Sequence, residues 1–402
     1  MRILFADVFC VHPIFFICAK FLLRKKVEAC LTFGSNVRIE HHKLPSWSDR
    51  SLVNSSSYPP WIQRKEFPLP TELIMNPIRY LIKTRELIDF VRKFDLVVCT
   101  GIAPMWIGLA RKPFIFYSYG SDLEYVAIYG GDPFLKSTPK RRLRMLLIRH
   151  LLPNLLRKAR AVVLSPYQIP TAERLGLKNL RFLPHVVDTQ LFRPMDPEKK
   201  RSQKEILRSK LGCELIFFHP SRQMWVCKQI PNSKGNDRLF RAFARFIEVT
   251  KKKAKLIAID RGGDVEASKR LIKDYKIEDH VIWMKPMKRP ELVRYYNLAD
   301  IVFDQFRSGI FDLVAVEAMA CGAPVFSYVK PAPPPPYPET PPVVNVRSEE
   351  EIFKSLSELA DDEDTRRDLG KKSREWIMKY CHWEVAIQKH IELYKEVLKG
   401  DI

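Results

Sequence analysis

Ser308-Gly-Ile-Phe-Asp-Leu-Val-Ala-Val-Glu-Ala-Met-Ala-Cys-Gly-Ala-Pro-Val-Phe-Ser-Tyr328 reads as a loop, a short helix, a tight turn and a strand. Gly309 gives the loop backbone freedom where it bends close to something. Leu313, Val314, Val316, Met319 and Ala320 supply the buried sides of the helix. Gly322 ends it, Pro324 prevents it from resuming, and Val325-Phe326 opens a strand. The N–H groups near Phe311 to Val314 then face a loop, which makes that helix end an anion site. Glu317 lies one turn further in.

Outward from this stretch the chain alternates strands and helices. Strands are expected at Glu214–His219, Lys255–Ile259, His280–Met284 and Ile301–Phe303, with helices between them. The first half repeats the pattern, with strands at Arg2–Val8, Val27–Thr32, Asp95–Cys99, Pro113–Tyr117 and Ala161–Leu164. This is an α/β protein with two doubly wound parallel sheets. Length agrees, since 402 residues exceed one ordinary core. Residues 194–204, rich in Pro, Lys and Glu, read as an exposed hinge, and Pro153 reads as an interruption of the helix around it.

The quoted stretch resembles the E-x7-E region of retaining glycosyltransferases of the GT-B fold, in the large family often called family 4. That family writes Glu-Pro-Phe-Gly-Leu-x-x-x-Glu-Ala-Met-Ala-x-Gly-x-Pro-Val. The chain matches at Phe311, Leu313, Glu317, Ala318, Met319, Ala320, Gly322, Pro324 and Val325. It departs where the family's first Glu is Gly309 and where the family's Gly is Asp312. The resemblance implies two Rossmann-like domains facing across a cleft. Residues 1–193 are the acceptor side and 194–380 the nucleotide-sugar side, with a helix in 381–402 crossing back to the first domain.

The resemblance also implies site residues. Arg222, after the first strand of the second domain, and Lys234 of Lys234-Gly-Asn-Asp correspond to the cations that hold the donor diphosphate. The twelve-residue spacing exceeds the family's, so an insertion is inferred and Lys228 is a rival to Lys234. Glu317 corresponds to the carboxylate that accepts bonds from the donor ribose. Gly309, Ile310, Phe311, Leu313 and Val314 line the donor at the helix end, and Asp304 at the neighbouring strand mouth faces the sugar. Tyr119-Gly-Ser-Asp122 resembles a His-Gly-x-Asp motif on the acceptor side; Asp122 either receives an acceptor hydroxyl or caps the next helix. Asp312 is a good N-cap whose charge opposes a phosphate at the same helix end. No Asp-x-Asp metal motif is evident among the site residues, so neither metal nor other cofactor is expected. Protein cations and the helix end carry the leaving-group charge.

Lys and Arg outnumber Asp and Glu by 22, which points to an anionic partner. Residues 136–160 hold nine Lys/Arg and no acid, interleaved with leucines, and are a candidate contact with an anionic membrane surface. Signatures of RNA or zinc-knuckle recognition are absent, so nucleic acid is not an expected partner. The eight cysteines are scattered within apolar runs, as in reduced thiols of a cytoplasmic protein. No run of 18 apolar residues marks a membrane span. His12, Trp47, Tyr58 and Trp61 are further candidates for the acceptor side. The expected activity is transfer of a sugar from a nucleotide donor to a carbohydrate or lipid-linked hydroxyl. A sugar-nucleotide epimerase of the same fold, or a non-catalytic basic membrane protein, is the alternative.

Overall fold

A computed structural model describes residues 1–7, 13–34, 62–65, 67–68, 76–120, 122–130, 138–226 and 233–401. They form two compact units, Met1–Val186 with Ala386–Ile402, and Val187–Val385. His12, Trp47, Tyr58, Trp61, Lys228 and the inferred insertion at 227–232 lie outside the described residues.

The first unit is built on β1 (Arg2–Asp7), β2 (Glu28–Gly34), β3 (Ile62–Lys65), β4 (Leu96–Cys99), β5 (Phe114–Tyr117), β6 (Ala161–Val163) and β7 (Leu180–Arg181). Among the described residues they pair in the order β3-β2-β1-β4-β5-β6-β7, every pair parallel. Leu-Val-Val-Cys in β4 and Phe-Ile-Phe-Tyr in β5 are buried throughout. Continuous apolar strands of this kind are what a sheet covered on both faces requires. The helices Pro77–Val91, Pro104–Ala110 and Pro139–Leu156 pack side by side. The helix Trp383–Lys399 begins in the second unit and from Ala386 belongs to the first. There Tyr394 packs edge-on to Phe5, and His390 Nε2 lies 3.2 Å from the Pro184 carbonyl.

The second unit repeats the plan with β8 (Leu215–His219), β9 (Ala254–Ile259), β10 (Val281–Met284), β11 (Ile301–Phe303), β12 (Val325–Ser327) and β13 (Val344–Asn345). Their order is β10-β9-β8-β11-β12-β13, again all parallel. The strand order therefore reverses between β1 and β4 in one unit and between β8 and β11 in the other. Sheets of this kind bind ligands outside the carboxyl ends of the strands at that point. The helix Leu313–Ala320 is buried from Ala315 to Ala320, so it sits inside the second core and its amino end stays at the sheet's mouth.

Two expectations are corrected. Residues 194–204, read as an exposed hinge, are exposed but mostly helical. Asp196 caps a helix, Pro197–Leu211, by accepting from the Lys199 N–H at 3.0 Å, and Pro197 starts it. That helix buries no residue, which is why its polar composition reads as a linker; Lys204 and Arg208 tie it to buried Asp300 at 2.6 and 3.0 Å. Pro153 does not interrupt its helix, which runs on to Leu156. The proline removes one N–H near the carboxyl end, and the Arg157 N–H bonds the Pro153 carbonyl at 3.1 Å beyond it. Cys18, Cys30, Cys99, Cys213, Cys321 and Cys381 are buried free thiols.

Candidate active site

The mouth between β8 and β11 is assembled from three loops. After β8, Ser221 to Val226 is bonded to the loop after β9. The Trp225 N–H donates to Asp264 at 2.6 Å and its indole N–H to Ser268 at 2.8 Å. Gly262 has a φ of +126° and lies against the Gln223 backbone so closely that a Cβ would come within 2.3 Å. Only glycine fits this crossing. Asn236 then clamps the β8 loop to the next helix, accepting from the Met224 N–H at 3.0 Å and donating to the Arg222 carbonyl at 3.1 Å.

His219, at the end of β8, is fully buried. Its Nδ1 is 3.0 Å from the Phe303 carbonyl, so Nδ1 carries the proton, and Nε2 accepts from Asn236 at 2.8 Å. Burial depresses its pKa to about 4, so it stays a neutral brace between β8, β11 and the helix Asn236–Thr250. Lys234 precedes that helix. Its backbone bonds both neighbouring loops, with N–H to the Met224 carbonyl at 2.6 Å and carbonyl to the Phe306 N–H at 2.7 Å.

That backbone grip fixes where the Lys234 ammonium goes. Its side chain is 5% exposed and pairs with Asp312. Asp312 caps the helix Leu313–Ala320, its Oδ1 accepting the Leu313 N–H at 2.7 Å. Burial alone would raise the Asp312 pKa. Lys234, the Leu313 N–H and the charge of Arg222 outweigh it and hold this carboxylate below its ordinary range. The Asp312 side chain nevertheless remains 35% exposed, so water reaches the pair.

Asp304 follows β11 and is fully buried. It accepts from Ser221 Oγ at 2.9 Å and Ser327 Oγ at 3.3 Å. Burial, aided by the Asp312 charge, raises its pKa to about 7 against the pull of Lys234 and the two hydroxyls. Arg222 is partly exposed and its guanidinium has no partner among the described residues. Burial, and after it the like charge of Arg222, lower the Arg261 pKa to about 10.

Glu317 is 6% exposed and already engaged. Arg289 donates to Oε1 at 2.7 Å and the Tyr296 hydroxyl to Oε2 at 3.3 Å. Burial raises its pKa, with Arg289 opposing. The structure thus brings Arg222, Lys234, Asp304, Asp312 and Glu317 to one mouth. Gly309, at a φ of +72°, packs on Lys330 and Tyr328. Ile310 is held through its carbonyl by Gln305 Nε2 at 2.9 Å. Leu313 and Val314 are partly exposed at the helix end, whereas the Phe311 ring turns inward against Tyr337 and Trp376, leaving only its backbone to a ligand.

Asp122 is placed in the first unit, after β5. Its Oδ1 accepts from Ser118 Oγ at 2.7 Å and the Leu123 N–H at 2.9 Å, and its Oδ2 from Thr100 Oγ1 at 2.7 Å; the Tyr119 N–H reaches both oxygens. Sequence reasoning did not single out His219, Asn236, Gln305, Arg261 or Arg289. Only the Asn of Lys234-Gly-Asn-Asp stood in a motif already quoted.

Residues 216–376 match the family model of glycosyl transferases group 1. Over 233 residues the chain is 28% identical to the GDP-mannose-dependent alpha-(1-6)-phosphatidylinositol monomannoside mannosyltransferase of Mycobacterium tuberculosis, covering 56% of each chain. Over 147 residues it is 32% identical to D-inositol 3-phosphate glycosyltransferase 1 of Catenulispora acidiphila, covering 35% of this chain and 32% of that one. The chain thus spans about half or less of the length of these curated relatives. Among solved structures, Anabaena HepE in complex with UDP and glucose superposes with a TM-score of 0.69 at 15% identity, covering 98% of this chain and 100% of that one. A Rickettsia africae glycosyltransferase gives 0.66 at 15%, with 99% of each covered. The chain has the GT-B fold, and its residues 216–376 are similar to the glycosyl transferases group 1 family.

Proposed function

We propose that the chain is a retaining glycosyltransferase that moves a sugar from a nucleotide-sugar donor to a hydroxyl of a glycan or a lipid-linked acceptor. The observation that carries this reading is the pairing of buried Lys234 with Asp312 at the amino end of the helix Leu313–Ala320, with Arg222 beside it. A cation pair and a helix end aimed at one point suit a diphosphate. In the reaction the bond from the anomeric carbon to the diphosphate breaks, and the acceptor oxygen bonds to that carbon on the same face. The departing phosphate oxygen takes the acceptor's proton. Lys234, Arg222 and the backbone N–H groups of Leu313 and Val314 take up the charge that grows on the diphosphate, which is where preorganised donors contribute most. These groups supply the neutralisation that a metal ion would otherwise give, so the reading is metal-independent. Glu317, held by Arg289, receives the donor ribose, and the Gly309 backbone stands where the family's first Glu would hold the sugar. UDP is bound in the HepE structure and GDP-mannose is named for the mycobacterial relative; both are diphosphates, and the base remains open between them.

Calorimetric titration with UDP-, GDP- and ADP-sugars tests the reading. At least one binds, Arg222→Ala weakens it, and product analysis shows a new glycoside only when an acceptor is added. Conversion of the donor alone would instead identify an epimerase, and no nucleotide binding at all would remove the proposal.

A further inference from the structure

Two helices of the first unit share an unusual division. In Pro77–Val91 the buried residues are Thr84, Leu87, Phe90 and Val91, all in the second half. In Pro139–Leu156 they are Ile148, Leu152 and Leu156, again in the second half. Each helix leads into the next strand, β4 or β6, so its carboxyl end lies at the start of that strand. A 15-residue helix spans about 22 Å and a four-residue strand about 13 Å. The amino-terminal halves therefore project past the carboxyl edge of the sheet.

Those projecting halves are apolar where they meet water. Ile78, Leu81 and Ile82 are 73%, 61% and 54% exposed, and Leu143 and Leu146 are 40% and 51% exposed. The first set follows i, i+3, i+4 spacing and so forms one stripe. Cations border both sets, with Arg79 and Arg85 on one helix and Arg142 and Arg149 on the other, all exposed. Both helices pack on the short helix Pro104–Ala110 between them, so the two stripes lie on the same side of the sheet. Among the described residues no helix is long and apolar enough to cross a membrane.

We infer that these two helix ends form one surface that docks on an anionic lipid bilayer, with the five apolar side chains entering the headgroup region and the arginines meeting lipid phosphates. Charge complementarity selects this partner. Residues 138–149 contribute five Lys/Arg and no acid, and interfacial helices combine such a basic border with exposed Leu and Ile. A polyanion without an apolar phase would satisfy the arginines and leave the leucines unexplained. The surface extends the sequence expectation for 136–160 by adding a second helix that no charge run marks.

Flotation of the full chain with vesicles tests it, independently of any sugar transfer. The chain floats with vesicles of phosphatidylcholine mixed with phosphatidylglycerol, stays behind with phosphatidylcholine alone, and is released by high salt. Arg142→Glu with Arg149→Glu lowers the bound fraction roughly tenfold or more. Ile78→Ser with Leu81→Ser, on the other helix, lowers it several-fold while thermal melting is unchanged, because both side chains are already in water. Equal flotation with neutral vesicles, no flotation at low salt, unchanged flotation of either double variant, or the arginines acting only in binding of a nucleic acid would overturn the inference.

Discussion

After β5, the Asp122 carboxylate accepts hydrogen bonds from two hydroxyls and two backbone amides, with no cation among those donors. After β11, Asp304 and Asp312 lie in the field of Lys234, and Asp312 is paired with it. The second mouth stands at the reversal of strand order and the first lies one strand from it, after β4 and β5, and they use a carboxylate differently. At the first, the neutral donors are parts of one loop and its neighbours, so the carboxylate fixes the loop's shape. At the second, the cation is a separate side chain, and another anion can take the carboxylate's place beside it. In the proposed function a phosphate exchanges with Asp312 at Lys234. Under the proposed function the second mouth binds the donor, while Asp122, whose oxygens already accept from its own loop and its neighbours, keeps both readings, acceptor contact and cap.

The strongest way to break that assignment is Lys234→Met, which keeps the buried stem and removes the charge. Donor turnover is expected to fall by about 10²–10³ in kcat/KM, the range for losing one preorganised donor to a developing oxyanion. Steady-state kinetics with the donor identified by titration measures it, and a loss below tenfold would return the diphosphate to Arg222 or to the rival Lys228. Asp122→Ala probes the other mouth. It leaves the Ser118 and Thr100 hydroxyls and the Tyr119 N–H without their acceptor, which costs roughly 2–4 kcal/mol. Thermal melting should fall by several degrees while nucleotide affinity of the surviving fold is unchanged. A kcat collapse with no change in melting would instead make Asp122 a reacting group.

The architecture was open to reading because its signals are local. Leu-Ile-Phe-Phe and Leu-Val-Val-Cys are strand-like whatever surrounds them, and Gly322 with Pro324 ends a helix by backbone constraint alone. Arg222 and Lys234 are implied by the family resemblance and Asp304 by its position after a strand, and all three lie near Asp312. The partners were hidden because pairing across 28 to 84 residues leaves no trace in spacing. Glu317 needs Arg289, Asp304 needs Ser221, and His219 needs Phe303, each on another element. The helix Pro197–Leu211 was hidden for a different reason, since only Leu207 and Leu211 at its end pack on the core and the rest has no apolar period to detect.

Asp312→Asn sharpens the comparison at intermediate magnitude. Asn still caps the helix through its side-chain oxygen, so folding is nearly unaffected. It no longer competes for Lys234, and the Asp312 side chain is 35% exposed, so the pair's own strength is reduced by water. Nucleotide affinity by titration should tighten by about three- to tenfold. Weaker binding would show that Asp312 orients Lys234 for the ligand rather than occupying the ligand's place.

The smallest expected effect is in pH. Asp304 is raised from an ordinary value of 3.8 to about 7, so folding favours its proton. Stability from this group is fully present below about 4 and is lost as pH rises toward and through 7, because the buried carboxylate must then ionise. Asp312 has the opposite sign. Its depressed pKa adds stability above the ordinary carboxylate range, lost only in strong acid, so it does not vary across the same window. The difference in melting temperature between wild type and Asp304→Asn therefore isolates Asp304: the variant, which keeps an acceptor for Ser221, loses less stability between pH 4 and 7 than the wild type. Parallel curves would mean that Asp304 stays ionised beside Lys234 throughout, and that the mouth carries one more negative charge against a diphosphate than the geometry implies.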